Sequence, residues 1–177
     1  MLLRRAQRGR LDLIPAALAV AREITEPGLS EPSDGPLAEE QRLVTMVKKA
    51  ALFTAGVAVQ KYLEQIEREQ EVMAAIADLI IEAFAMESGL LRTQRALERD
   101  GAERSGVKVA MIRTYINDAV PRIDATARTV LAAVEEGDTL RTELAGLRRF
   151  LHYTPINTVV QRRRIADAMI TQGKYIN

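Results

Sequence analysis

From Leu37 to Asp100 the chain runs without a proline and with only two glycines, Gly56 and Gly89. Proline removes a helical hydrogen bond and glycine weakens a helix, so a long stretch poor in both favours helix throughout. One straight rod of that length would reach roughly 95 Å at 1.5 Å per residue, too long for a compact domain. The break falls at Glu64–Glu71, where Ile66 is the one apolar residue. The segment therefore reads as two antiparallel helices joined near Arg68.

The second of these carries a regular apolar seam, Val72, Ile76, Leu79, Ala83, Met86, Leu90, Thr93 and Leu97. Its alternating spacing of four and three is the stripe a helix presents to its neighbours in a bundle. Gly101 ends it. A third long helix starts between Ala102 and Gly106, with the seam Val109, Ile112, Ile116, Ala119, Ile123, Thr126, Val130 and Ala133. Pro121 lies inside it, and a kink is expected between Asn117 and Pro121. Gly137 closes this helix, and Asp138 or Thr139 caps a shorter one with the apolar face Leu140, Leu144, Leu147 and Leu151. Thr154-Pro155 marks a turn, and Asn157 or Thr158 caps a final helix that stops at Gly173.

Ahead of the bundle, Leu11, Ile14, Leu18, Ala21 and Ile24 recur at helical spacing and predict a helix that ends before Pro27. Three prolines and two glycines then fall between Glu26 and Pro36, a composition that resists regular structure. The organisation that follows is a 1–25 N-terminal segment with an amphipathic helix, a 26–37 Pro/Gly linker and a 38–177 helical bundle domain. The fold class is all-α: an antiparallel bundle of four to five helices with an N-terminal helical arm.

Composition agrees. Apolar residues make up 47% of the chain, with aromatics at 4% and no tryptophan, so the residues that favour strands are scarce. A fold of this size buries roughly 70% of its unfolded surface and needs no metal or disulfide. The chain has no cysteine and a net charge of +1, which removes thiolate chemistry and any global attraction to nucleic acid. The apolar stretch from Val72 to Leu91 is interrupted by Asp78, Glu82 and Glu87, and no membrane span is expected. The basic start, Met1–Arg10, lacks the apolar core of a signal peptide. A cytoplasmic setting is the expectation.

Few side chains suggest chemistry. A two-iron carboxylate site needs Glu-x-x-His pairs, and the single histidine, His152, has no glutamate three residues before it. The same count removes Ser-His-Asp schemes, and no glycine-rich phosphate loop exists. Asp78, Glu82 and Glu87 read as a solvated face, or as acids paired with arginines of a neighbouring helix. Arg148, Arg149, Arg162, Arg163 and Arg164 lack the aromatic partners of a nucleic-acid surface. They are interface candidates, as are Leu11, Ile14 and Leu18 on the first helix. No catalytic, cofactor-binding or metal-binding residue is assigned.

Three stretches carry a resemblance. They are Leu52-Phe53-Thr54-Ala55-Gly56 with Tyr62-Leu63; Glu69-Gln70-Glu71-Val72 with Ile76-Ala77-Asp78 and Ala85-Met86-Glu87-Ser88; and Gly137-Asp138-Thr139-Leu140-Arg141 with Tyr153-Thr154-Pro155-Ile156-Asn157-Thr158 and Arg162-Arg163-Arg164. At this spacing the chain resembles the C-terminal helical extension of acyl-CoA dehydrogenases of the very-long-chain type and related bacterial enzymes. Leu2–Pro15 resembles the segment that follows the dehydrogenase core. The resemblance implies a second helical bundle that packs over the core. It also implies that the catalytic glutamate, the FAD contacts and the acyl-CoA pocket lie upstream of the matched region, so FAD is expected only in the full-length enzyme. Partners expected are a dehydrogenase core, on the same or a separate chain, or a second copy, as a homodimer; the charge balance gives no expectation of nucleic acid. The extension is implicated in membrane association in some members, through a basic amphipathic segment that finds no match here. The alternative is a free-standing helical protein-interaction module.

Overall fold

The computed structural model describes residues 13–25 and 34–174. Among them are five helices: α1 (Leu13–Thr25), α2 (Ala38–Tyr62), α3 (Gln70–Val134), α4 (Gly137–Phe150) and α5 (Thr158–Gln172), with a 3-10 turn at Leu63–Arg68 between α2 and α3. Leu11 and most of the expected linker, residues 26–33, lie outside the described residues, as do the side chains of Ile14 and Ile24.

The expected break between the first two bundle helices is the 3-10 turn, with Ile66 fully buried beneath it. Gly101 does more than end a helix. It adopts φ 77°, ψ 171°, a conformation open almost only to glycine, and it folds α3 back on itself. In a straight helix Glu82 and Arg122 would stand about 60 Å apart; here they share hydrogen bonds of 3.0 and 3.1 Å. Residues 70–100 and 102–134 are thus two antiparallel arms. A Cβ on Gly89 would meet Ile112 at 2.7 Å, which marks how closely they approach.

The core lies among α2, both arms of α3 and α4. Leu79, Met86, Ile116, Ile123, Leu131 and Leu147 are almost completely buried there, and Phe53 meets Phe150 at 5.9 Å between ring centres. Ion pairs flank it, with Lys48 to Glu87 at 2.8 Å and Arg113 to the buried Glu40 at 3.0 Å. Helix α2 is long and apolar enough to cross a membrane, with mean hydropathy 1.3, which corrects the expectation that no segment reaches that threshold. Its apolarity is that of a central helix, because 61% of that window is buried inside the bundle.

The first-arm seam is buried from Val72 to Thr93, then Ala96 takes the place expected of Leu97, which is half-buried. On the second arm, Ala127 and Val134 are buried where Thr126 and Ala133 were expected, and Ala133 is exposed. A seven-residue repeat lags a 3.6-residue helix by about 20° per heptad, enough after three heptads to move the buried position one residue later, as on the second arm. No residue near Pro121 leaves helical geometry; the one non-helical residue inside α3 is Gly101. The N-cap of α4 is Glu136, without a side-chain cap bond, rather than Asp138 or Thr139. Asn157 does cap α5, accepting from the Val160 amide at 3.1 Å, and Gly173 ends it in the left-handed conformation.

Helix α1 packs on α2. Ala17 and Val20 are its buried contacts, and Gly56 makes the approach possible, since a Cβ there would lie 2.6 Å from the Ala17 Cβ. Glu23 pairs with Lys49 across the same contact.

Candidate interaction surface

The side chains that project outward from the first arm of α3 define the most distinctive surface. Ile80, Ile81, Phe84 and Leu91 are 47%, 61%, 71% and 51% exposed. Beside them, Glu82 reaches across to the second arm. It accepts from Arg122 through both carboxylate oxygens and from the Tyr115 hydroxyl at 3.0 Å. The Arg122 guanidinium also lies 5.9 Å from the Tyr115 ring centre, within cation–π range. Burial, and then the bond to Glu82, raise the Tyr115 pKa above 10.0, so it stays a neutral donor at physiological pH. Of the two readings of these acids, Glu82 follows the one that pairs it with an arginine of the neighbouring arm, whereas Asp78 is exposed and Glu87 pairs with a lysine of α2.

An open groove of about 270 Å³ runs along this pair, lined by Asp78, Glu82, Arg122 and Thr126 with Leu79, Ile81 and Ile123. Among the described residues no group of three or more His, Cys, Asp or Glu is placed to hold a metal.

The interface candidates read from the sequence are dispersed. Leu18 is 43% exposed on α1. Arg148 and Arg149 are exposed in the last turn of α4, which packs on α2 and α3. Arg162, Arg163 and Arg164 lie on α5, which packs on α3. Arg162 bonds Asp118 at 2.5 Å and Thr158 at 2.7 Å, and Arg164 lies over Gly106, where a Cβ would meet its guanidinium at 2.5 Å. Two of the five therefore help to hold α5 on α3. His152 is exposed, and its carbonyl accepts from Arg42 at 3.2 Å.

The family described as "Acyl-CoA dehydrogenase, C-terminal domain" matches residues 46–149, more than half of the chain. The chain belongs to that family. A probable acyl-CoA dehydrogenase of Bacillus subtilis (strain 168) is 38% identical over 173 residues, which are 98% of this chain and 29% of that protein. The crystal structure of an acyl-CoA dehydrogenase complexed with FAD from Bacillus anthracis is similar with a TM-score of 0.94 at 36% identity, covering 99% of this chain and 30% of that one. The chain thus spans under a third of the length of these dehydrogenases and corresponds to their C-terminal domain. The family match ends at residue 149, so α5 and the loop before it lie outside it, although both relatives cover them.

Proposed function

We propose that this C-terminal domain is a non-catalytic cover for the core of an FAD-dependent acyl-CoA dehydrogenase in fatty-acid oxidation. Its work in that reading is to stabilise the core and its assembly. The observation that carries the proposal is the asymmetry of coverage: nearly all of this chain, and under a third of the dehydrogenases, takes part in the match. That a domain follows the relatives' fold so fully supports the reading that it packs as theirs does. Its residues contribute buried seams, inter-arm ion pairs and exposed apolar side chains, the chemistry of contact rather than of turnover.

The test is purification of the 177-residue chain followed by a visible spectrum and an acyl-CoA oxidation assay. The expected result is a colourless protein that does not oxidise acyl-CoA. Stoichiometric flavin after gentle purification would overturn the proposal.

Association with a second copy is the other reading, and Leu18, 43% exposed on α1, favours it. Sedimentation of the full chain beside one starting at Leu37 separates the two. A dimer that becomes a monomer without α1 supports it, and two monomers exclude it.

A further inference from the structure

The first arm of α3 has two apolar seams, and this chain covers only one. The inner seam, through Leu79, Met86 and Leu90, is buried against the rest of the bundle. One position round the helix, Ala77, Ile81, Phe84, Ser88 and Leu91 repeat the spacing of four and three, with Ile80 beside them. A helix apolar on two sides belongs between two layers of protein. Charged residues bound the outer seam: Asp78 and Glu82 along its length, Arg92 and Arg95 at its end. An apolar patch with a polar rim is the usual form of a protein-binding surface.

Resting on the reading of this domain as a cover, we infer that the outer seam, centred on Phe84, is the face that docks on a dehydrogenase core. Two observations choose that occupant. The relatives carry some 70% of their length outside the region matched here, so in them a second layer is available to this domain. The four large side chains expose apolar area on the order of 400 Å², about the apolar share of the roughly 800 Å² that a standard interface buries per partner, so the patch is large enough for a protein partner. Asp78 and Glu82 in its margin are matched by Arg92 and Arg95, so the rim gives no net attraction to an anionic lipid surface.

The chain has no cysteine, so Phe84→Cys introduces a single thiol. Its alkylation rate is measured in the 177-residue chain, and then in a flavin-loaded chimaera in which this chain replaces the C-terminal domain of the Bacillus anthracis dehydrogenase, read by mass spectrometry of the peptide bearing residue 84. Arg141→Cys, at a side chain 80% exposed on α4, is the control, and Ile81→Cys repeats the measurement. The expected result is rapid labelling at residue 84 in the isolated chain and at least a tenfold slowing in the chimaera, with residue 141 unchanged. Rapid labelling of residue 84 in a chimaera that unfolds as one unit overturns the choice of face and leaves the covering role standing. A chimaera whose two parts unfold separately overturns both. Protection of the isolated chain that grows with its own concentration, or that requires phosphatidylserine vesicles, assigns the seam to a second copy or to a membrane and overturns the inference.

Discussion

The hydroxyl of Tyr153 lies 3.5 Å from the main-chain carbonyl of Asn117, to which it donates a long hydrogen bond. That carbonyl stands four residues ahead of Pro121, whose ring nitrogen has no proton to give it. The proline thus frees an acceptor in mid-helix, and the loop between α4 and α5 uses it. The Asn117 side chain adds a second tie, accepting from the Ile156 amide at 2.9 Å, and Asp118 holds Arg162. One turn of α3, helical but short of one backbone bond, anchors the last helix. Tyr153→Phe should therefore cost about 0.5 kcal/mol, at the low end for a net hydrogen bond because this one is long. Pro121→Ala restores the helical donor and should raise stability by about 1 kcal/mol or more. In the Pro121→Ala background, Tyr153→Phe should cost less than it does alone, as read by urea denaturation of all four proteins.

The two seams of the first arm make a matched pair of mutations. Leu79 is 1% exposed and Ile81 61% exposed, though only two residues separate them. Leu79→Asp places an unpaired charge in the core and should cost several kcal/mol of a total of about 5–15. Ile81→Asp in the isolated chain should change stability by less than about 0.5 kcal/mol. Equal melting temperatures for the two variants would show the inner seam to be misplaced.

The seam of the first arm was legible in the sequence because its spacing is regular and unbroken from Val72 to Thr93. The second seam, at Ile81, Phe84 and Leu91, has the same spacing, but a pattern search that accepts one apolar stripe per helix assigns the rest to solvent. The hairpin within α3 was marked by Gly101, and the 3-10 turn by the polar run around Ile66. Pairing of Glu82 with an arginine of a neighbouring helix was one of two readings of the sequence, but Arg122 as the partner was hidden, since it depends on how far back the arm folds and not on any local spacing. The shift from Thr126 to Ala127 was hidden too, since it accumulates from a small mismatch between repeat and helix. Local capping failed at Glu136, where no side chain makes the cap bond, and succeeded at Asn157, where one does.

Gly101 holds φ at 77°, so Gly101→Ala forces a side chain into a backbone region it avoids. No atom lies within 4 Å of the added Cβ, so the effect should come from the backbone alone. A loss of about 1–3 kcal/mol is expected, measured by thermal unfolding, with the helix content of the folded protein unchanged.

Glu143 supplies a pH dependence. Burial, and then the neighbouring Glu135, raise its pKa above 4.5. A carboxyl with a raised folded-state pKa binds more protons folded than unfolded, so stability falls as pH rises through the window that opens at the unfolded value. Glu143→Gln should therefore melt higher than the parent at pH 7. The difference should vanish below about pH 4, where the glutamate is protonated in both states.

The covering role is tested most directly by calorimetry of a flavin-loaded dehydrogenase whose C-terminal domain is this chain, with FAD fluorescence followed over the same temperatures. If the domain stabilises the core, the polypeptide unfolds in one transition, above the melting temperature of the isolated chain, and FAD is released in that transition. Leu79→Asp should then lower the temperature of flavin release, although it lies outside the flavin-binding part. The account is contradicted if this domain melts separately, at the temperature it shows alone, while the core keeps its FAD.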